Sequence, residues 1–246
     1  MRAAVISDIH ANLPALEAVL ASIEESGTEE TWCLGDVVGY GADPDACARL
    51  VEESCQVKLV GNHDLAVLGE LDISSFSAAA AEAVRWTQEV AAPETLEMLR
   101  AGRPAGEREG MGLFHASPRD PVWEYVLSIE QAEDCMEAAE RPVNLIGHSH
   151  VALYFEAPPG ESGGEARGSP APEGSRLRLG EGRWLLNPGS VGQPRDGDPR
   201  AAWLELDTEA ASALFHRVPY DVGKAAGSIL DAGLPRHLAD RLHLGQ

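Results

Sequence analysis

The chain has 246 residues, 44% hydrophobic and 24% charged, and carries a net charge of −21. That size and balance suit a soluble protein with one substantial core, and a single domain over 1–246 is expected. Forty acidic side chains against nineteen basic ones repel a phosphate backbone, which excludes extended nucleic acid as a partner; a small phosphorylated substrate stays open, because bound cations reverse the field locally. No run of 18 apolar residues occurs, so no membrane span is expected. The N-terminus reaches Asp8 too soon for a secretory signal, which makes the cytoplasm the expected location. The four cysteines match no zinc-knuckle spacing and read as reduced, buried small hydrophobes.

The apolar run Ala3 to Ser7 predicts a buried strand ending at Asp8. Pro14 and the spacing of Leu13, Leu16, Val19, Leu20 and Ile23 predict a helix. Thr31 to Leu34 is a second strand, stopped by Gly35-Asp36. Asp43-Pro44 opens a second helix, and Val57 to Val60 is a third strand stopped by Gly61-Asn62. A helical stretch over 75–100 breaks near Pro93. Strands at 112–116 and 143–146 flank a helix over 128–140. This alternation of strand and helix predicts a layered α/β fold. Residues 157–175 are rich in Gly, Pro, Ser and Glu and read as a flexible surface loop. Further strands follow at 176–179, 183–187, 201–206 and 212–218, with a helical tail from about 221.

One strand after another ends in a metal-competent residue: Asp8-Ile9-His10, Gly35-Asp36, Gly61-Asn62-His63-Asp64, His115, and Gly147-His148-Ser149-His150. In open α/β sheets ligands bind at the carboxyl ends of strands, so these side chains can line one cleft. Carboxylate, imidazole and amide oxygen together suit Mn, Fe, Zn, Co or Ni better than an all-oxygen Mg cage. Singly, each motif has a plain structural reading: Gly35-Asp36 a turn, Asn62-His63-Asp64 a helix start. As a set they point to phosphoester chemistry, in which a carboxylate bridges paired ions.

The ordered set resembles the calcineurin-like metallophosphoesterase superfamily, and Asn187-Pro188-Gly189-Ser190-Val191-Gly192-Gln193-Pro194-Arg195 resembles its bacterial and archaeal phosphodiesterase branch. The resemblance implies a four-layer αββα sandwich of two mixed sheets flanked by helices. It implies a first metal on Asp8, His10 and His150, a second on Asn62, His115 and His148, and Asp36 bridging both. Manganese is the first expectation for the two divalent ions, with Fe, Zn, Ni, Co and Mg as alternatives. It further implies a bridging hydroxide as nucleophile, His63 as general acid and Asp64 orienting His63.

Substrate contacts stay open. Asn12 contacts phosphate or caps a helix, Tyr40 lines the pocket or packs in a turn, and Arg195 pairs with phosphate or lies exposed in a loop. Asn187 to Ser190 reads as a turn with backbone donors near the site. The expected activity is a phosphodiesterase on small diesters. A phosphomonoesterase, acting on protein Ser/Thr or dinucleoside polyphosphates, is the alternative, and a non-catalytic scaffold the remote one. Monomer and small homo-oligomer are both open.

Overall fold

A computed structural model describes residues 1–159 and 166–246. The first sheet has the order β3 (Val57–Lys58), β2 (Glu30–Cys33), β1 (Arg2–Ile6), β11 (Ala201–Asp207), β12 (Ser212–Val218), β9 (Arg176–Arg178). The second runs β4 (Ala105–Arg108), β5 (Met111–Phe114), β6 (Val143–Leu145), β10 (Arg183–Pro188), β7 (Ala152–Ala157), β8 (Arg167–Pro170). Both are mixed: β1, β2 and β3 run parallel in one, β5, β6 and β10 in the other, and antiparallel strands complete each.

Strand alternation builds the layers. Ala3 and Val5 of β1 face the second sheet, packing with Leu113, Leu145 and Leu186. Ala4 and Ile6 face outward onto α1 (Leu13–Ser26) and α2 (Pro44–Ser54). On the far side, α6 (Ile129–Ala138) lays Ala132, Cys135 and Met136 against Phe155 and Leu185. The result is the expected αββα order. Helices α4 (Ala78–Val90) and α5 (Pro93–Ala101) part at Pro93, where the missing N–H falls harmlessly at a helix start. All four cysteines are buried and unpaired.

Three strands depart from the sequence reading, and one motif takes the helix start that is its plain structural reading. A short helix, α3 (Asn62–Val67), begins at the third motif itself. β4 and β7 pair into the second sheet, although the sequence pattern marks neither. The stretch read as a loop over 157–175 carries β8, an exposed edge strand joined to β7 by backbone pairing; residues 160–165 lie outside the described residues. Arg-Gly-Ser-Pro has the composition of a loop because an edge strand asks only for backbone hydrogen bonds. The C-terminal tail forms α7 (Val222–Asp231) and α8 (Arg236–Asp240), followed by a 3-10 turn at Arg241–His243, and packs on α4 through Ala79 and Ala83. No helix among the described residues is long and apolar enough to cross a membrane.

Candidate active site

The carboxyl ends of the parallel strands from both sheets meet at one edge of the sandwich. β1 delivers Asp8 and His10, β2 Asp36, β3 Asn62, β5 His115, and β6 His148 and His150. The turns are tight. Asp8, His10, Asp36, His148 and His150 all hold left-handed backbone, with φ between 50° and 62°. Non-glycine residues adopt that region at a cost, and Asp and His tolerate it better than most. Gly61 allows the approach of two strands here, since a β-carbon on it would collide with the Asp36 carboxylate and the His115 ring.

The candidate ligands close around Asp36. Its Oδ2 lies 3.6 Å from His10 Nε2 and also 3.6 Å from His115 Nε2. On one side His10 Nε2 faces His150 Nε2 at 3.1 Å, and His150 Nε2 is 3.4 Å from Asp8 Oδ1. On the other, His115 Nε2 faces Asn62 Oδ1 at 3.2 Å, and the His148 Nε2 atom is buried without a partner. The tautomers follow from backbone contacts: Nδ1 of His10, His115 and His150 each donates to a carbonyl, of Val38, Leu34 and Gln193 respectively. Each Nε2 therefore turns a lone pair toward other acceptors. Such contacts are repulsive unless a cation sits between them. The ligand atoms of Asp8, His10 and His150 lie within 4.8 Å of one another, as do those of Asp36, His115 and His148, so these groups fit metal ions.

His63 sits beside the cluster. Its ring packs against Tyr40 at 4.3 Å, His10 at 4.9 Å and Phe76 at 5.1 Å between centroids, and its Nδ1 is buried without a partner. The role expected for Asp64 needs correction. Its carboxylate accepts from the backbone N–H groups of Val37 (3.2 Å), Val38 (3.0 Å) and Gly61 (3.0 Å), so it fixes the two ligand-bearing loops and leaves the His63 ring alone. His63 is held instead through its own backbone N–H, which donates to Asp36 Oδ1 at 2.8 Å.

Asn12 is a cap. Its Oδ1 accepts from Ala15 N at 3.2 Å, and its Nδ2 donates to Gly192 O at 2.8 Å and Tyr220 Oη at 3.3 Å, which leaves no group for substrate. Tyr40, half-buried and with φ of 59°, packs edge-on against His10 and at a tilt against His63, and so lines the site. The Arg195 guanidinium stands 5.9 Å from the Tyr40 ring centroid, and its backbone N–H donates to His150 O at 3.1 Å. The turn at 187–190 lies beneath the site: Ser190 Oγ donates to Asp8 O at 2.7 Å, and Asn187 Nδ2 to Gly147 O at 2.7 Å. Its side-chain donors support ligand loops, a different use from the backbone donors the sequence suggests. An aromatic wall escapes the sequence reading altogether. Phe76 contacts Trp123 at 5.3 Å, and Tyr125 stacks on His148 at 4.1 Å. These residues lie in loops, where no periodic pattern marks them.

Burial governs the charges. It pushes the Asp8 carboxyl up to about 7 and, with help from Asp64 and Asp8, holds Asp36 well above the usual carboxylate range. It drives His115 down to about 3 and His148 to about 2, and His10, His63 and His150 well below their ordinary value. The imidazoles of His10, His115, His148 and His150 are thus neutral at pH 7 and able to bind cations, while the metal-free carboxyls hold protons that cations must displace. A carboxyl raised in the folded state stabilises the metal-free fold at low pH, and that stabilisation is lost as pH rises through about 7. Manganese should therefore raise the melting temperature more at pH 8 than at pH 6, with proton release visible by calorimetry in buffers of different ionisation enthalpy. An equal gain at both pH values would contradict this.

The calcineurin-like phosphoesterase superfamily domain matches residues 1–209. The uncharacterized protein MJ0912 of Methanocaldococcus jannaschii is 36% identical over 249 residues, covering 99% of this chain and 98% of its own. A crystal structure of a metallophosphoesterase from Sphaerobacter thermophilus superposes with a TM-score of 0.89 at 37% identity, over 100% of this chain and 99% of that one. The hypothetical protein PH1004 from Pyrococcus horikoshii OT3 shares the fold, with a TM-score of 0.80 at 21% identity over 100% of this chain and 98% of its own. With its strand-end histidines and aspartates gathered in one buried cluster, the chain belongs to the calcineurin-like phosphoesterase superfamily and is a phosphoric ester hydrolase.

Proposed function

We propose that the chain is a phosphodiesterase acting on small diesters with two divalent ions, manganese first among them. The observation that carries the two-ion reading is the equal 3.6 Å separation of Asp36 Oδ2 from His10 Nε2 and His115 Nε2. Asp8, His10 and His150 would hold one ion, Asn62, His115 and His148 the other, with Asp36 between. When bound, such a pair acts as a Lewis acid and lowers the pKa of water.

The chain's own groups do the rest. Arg195 orients non-bridging phosphoryl oxygens through paired N–H donors. Its field already reaches the cluster, opposing the rise that burial imposes on the Asp8 and Asp36 carboxyls. His63 would supply a proton to the departing oxygen from its ring: burial and the Arg195 charge keep it neutral in the free protein, a bound phosphoester's negative charge favours its protonated form, and its Nδ1 has no protein partner to compete for the proton. Asp64 acts as a positioning residue, locking the loops that carry Asp36 and His63.

The diester choice is supported by the aromatic surfaces around the His63 ring. Tyr40 and Phe76 each pack against that ring, Trp123 continues from Phe76, and Trp123 and Tyr125 remain 36% and 42% exposed. Together they offer apolar surface for the substituents of an ester with two organic arms. Manganese-loaded protein is expected to hydrolyse bis-p-nitrophenyl phosphate faster than p-nitrophenyl phosphate, measured as kcat/KM. The reverse order would replace the diesterase reading with a monoesterase one.

A further inference from the structure

The charges of two arginines reach Tyr40 in this cleft, and only one of the two belongs to a motif. Arg195 follows the 187–194 turn. Arg241 arrives from the other end of the fold, on the turn after α8. That turn is pinned on two sides. Leu242 is buried in the cluster that holds Ala79 and Ala83 and against which Tyr40 packs. The Gly245 carbonyl accepts from Gly197 N–H at 3.0 Å, so the tail is tied to the loop that carries Arg195.

These two cations differ from the other arginines that are not exposed. Arg2, Arg200 and Arg217 each have an acidic partner. Among the described residues, no side-chain carboxylate pairs with Arg195 or Arg241. Arg195 spends one N–H on Gln193 Oε1 at 3.0 Å, while its Nε is buried without an acceptor. Arg241 spends its Nε on the backbone oxygen of Gln246. Burial and the Arg195 charge together hold the Arg241 guanidinium below its ordinary range, and Tyr40 and Tyr125 are the other groups whose fields reach it. Two half-buried guanidinium groups that repel each other, neither with an acidic side chain against it, leave positive charge to be offset. An anion bound between them offsets that charge.

We propose that Arg241 is a specificity-determining residue, which joins Arg195 and Tyr40 to bind a second anionic group on the ester arm that the substrate retains. This rests on the phosphoesterase reading above and narrows it. The favoured substrates are diesters that carry a further phosphoryl-type group near the scissile phosphorus. Arg195 reaches the reacting phosphoryl, and Arg241, farther along the tail, meets the second anion.

Two esters with one leaving group test this: p-nitrophenyl ethyl phosphate and p-nitrophenyl 2-phosphonoethyl phosphate. Manganese-loaded wild type should show a KM roughly tenfold lower for the phosphonoethyl ester, the scale of one charge-assisted contact. Arg241→Gln should erase most of that difference through KM, with kcat much less affected, and Arg241→Lys should restore part of it. An equal penalty on both esters would overturn the proposal, and so would an unchanged KM ratio in Arg241→Gln. Calorimetric binding of 1,2-ethylenediphosphonate against ethylphosphonate, on wild type and both variants, gives a readout without turnover. If neither ester is hydrolysed but Arg241→Gln still removes the preference for the diphosphonate, the phosphoesterase mechanism fails and the anion site stands. If Arg241→Gln also melts far lower, the lysine variant decides: loss of the preference with the charge kept would count against Arg241.

Discussion

Replacing Asp36 by Asn will empty the metal site and lower kcat/KM by a factor on the order of 10³, the scale of losing a group that organises transition-state charge. The substitution keeps the shape of the side chain and removes its charge. Asp36 Oδ1 accepts the His63 backbone N–H at 2.8 Å, and Oδ2 faces both His10 and His115. An amide in the same place offers one oxygen and turns N–H donors toward whatever faces the other position. Metal content, measured by mass spectrometry after desalting, should fall for both ions together. A second readout separates this from simple damage. Asp36 is buried beside Asp64 and Asp8, which disfavour its charge. The metal-free variant should therefore melt above metal-free wild type at pH 8, even though it has lost activity. Retention of both ions would remove Asp36 from the bridging position.

His63→Ala should act differently. Metal content should stay near that of wild type, and turnover should fall roughly 10²–10⁴-fold on an ester with an alkyl leaving group, the usual range for a lost general acid. The loss should be much smaller with a p-nitrophenolate leaving group, which departs without needing a proton. A uniform loss across leaving groups would mean that His63 shapes the site and carries no proton. Loss of metal would make His63 a ligand, a role its position within 4.8 Å of the His10 and Asp36 ligand atoms permits. Phe76 and Tyr40 both pack on the ring, so the alanine variant leaves a void but frees no buried carboxylate.

The parts of the site visible in the sequence share one property: their chemistry is local. An Asp or His placed directly after an apolar strand run announces both its position and its capacity as a ligand, which is why Asp8, Asp36, His115 and His148 can be read in order. What resists reading depends on where backbones turn. Asp64 adjoins His63 in the chain, yet its carboxylate points back at the N–H groups of Val37 and Val38, across the sheet. Asn12 offers two readings, and the α1 N-terminus takes its oxygen. Arg241 follows no motif and lies far along the chain from Arg195. The fold brings the two together through the burial of Leu242 and the hydrogen bond between Gly197 and Gly245. The edge strand β8 is hidden because its residues are all exposed and carry no apolar alternation.

The most direct test of the two-metal site is anomalous diffraction from manganese-loaded crystals. Two peaks are expected roughly 3.5–4 Å apart, the spacing of paired ions in phosphoesterases, with an Asp36 oxygen contacting both. A single peak, or two peaks of which Asp36 touches only one, would contradict it.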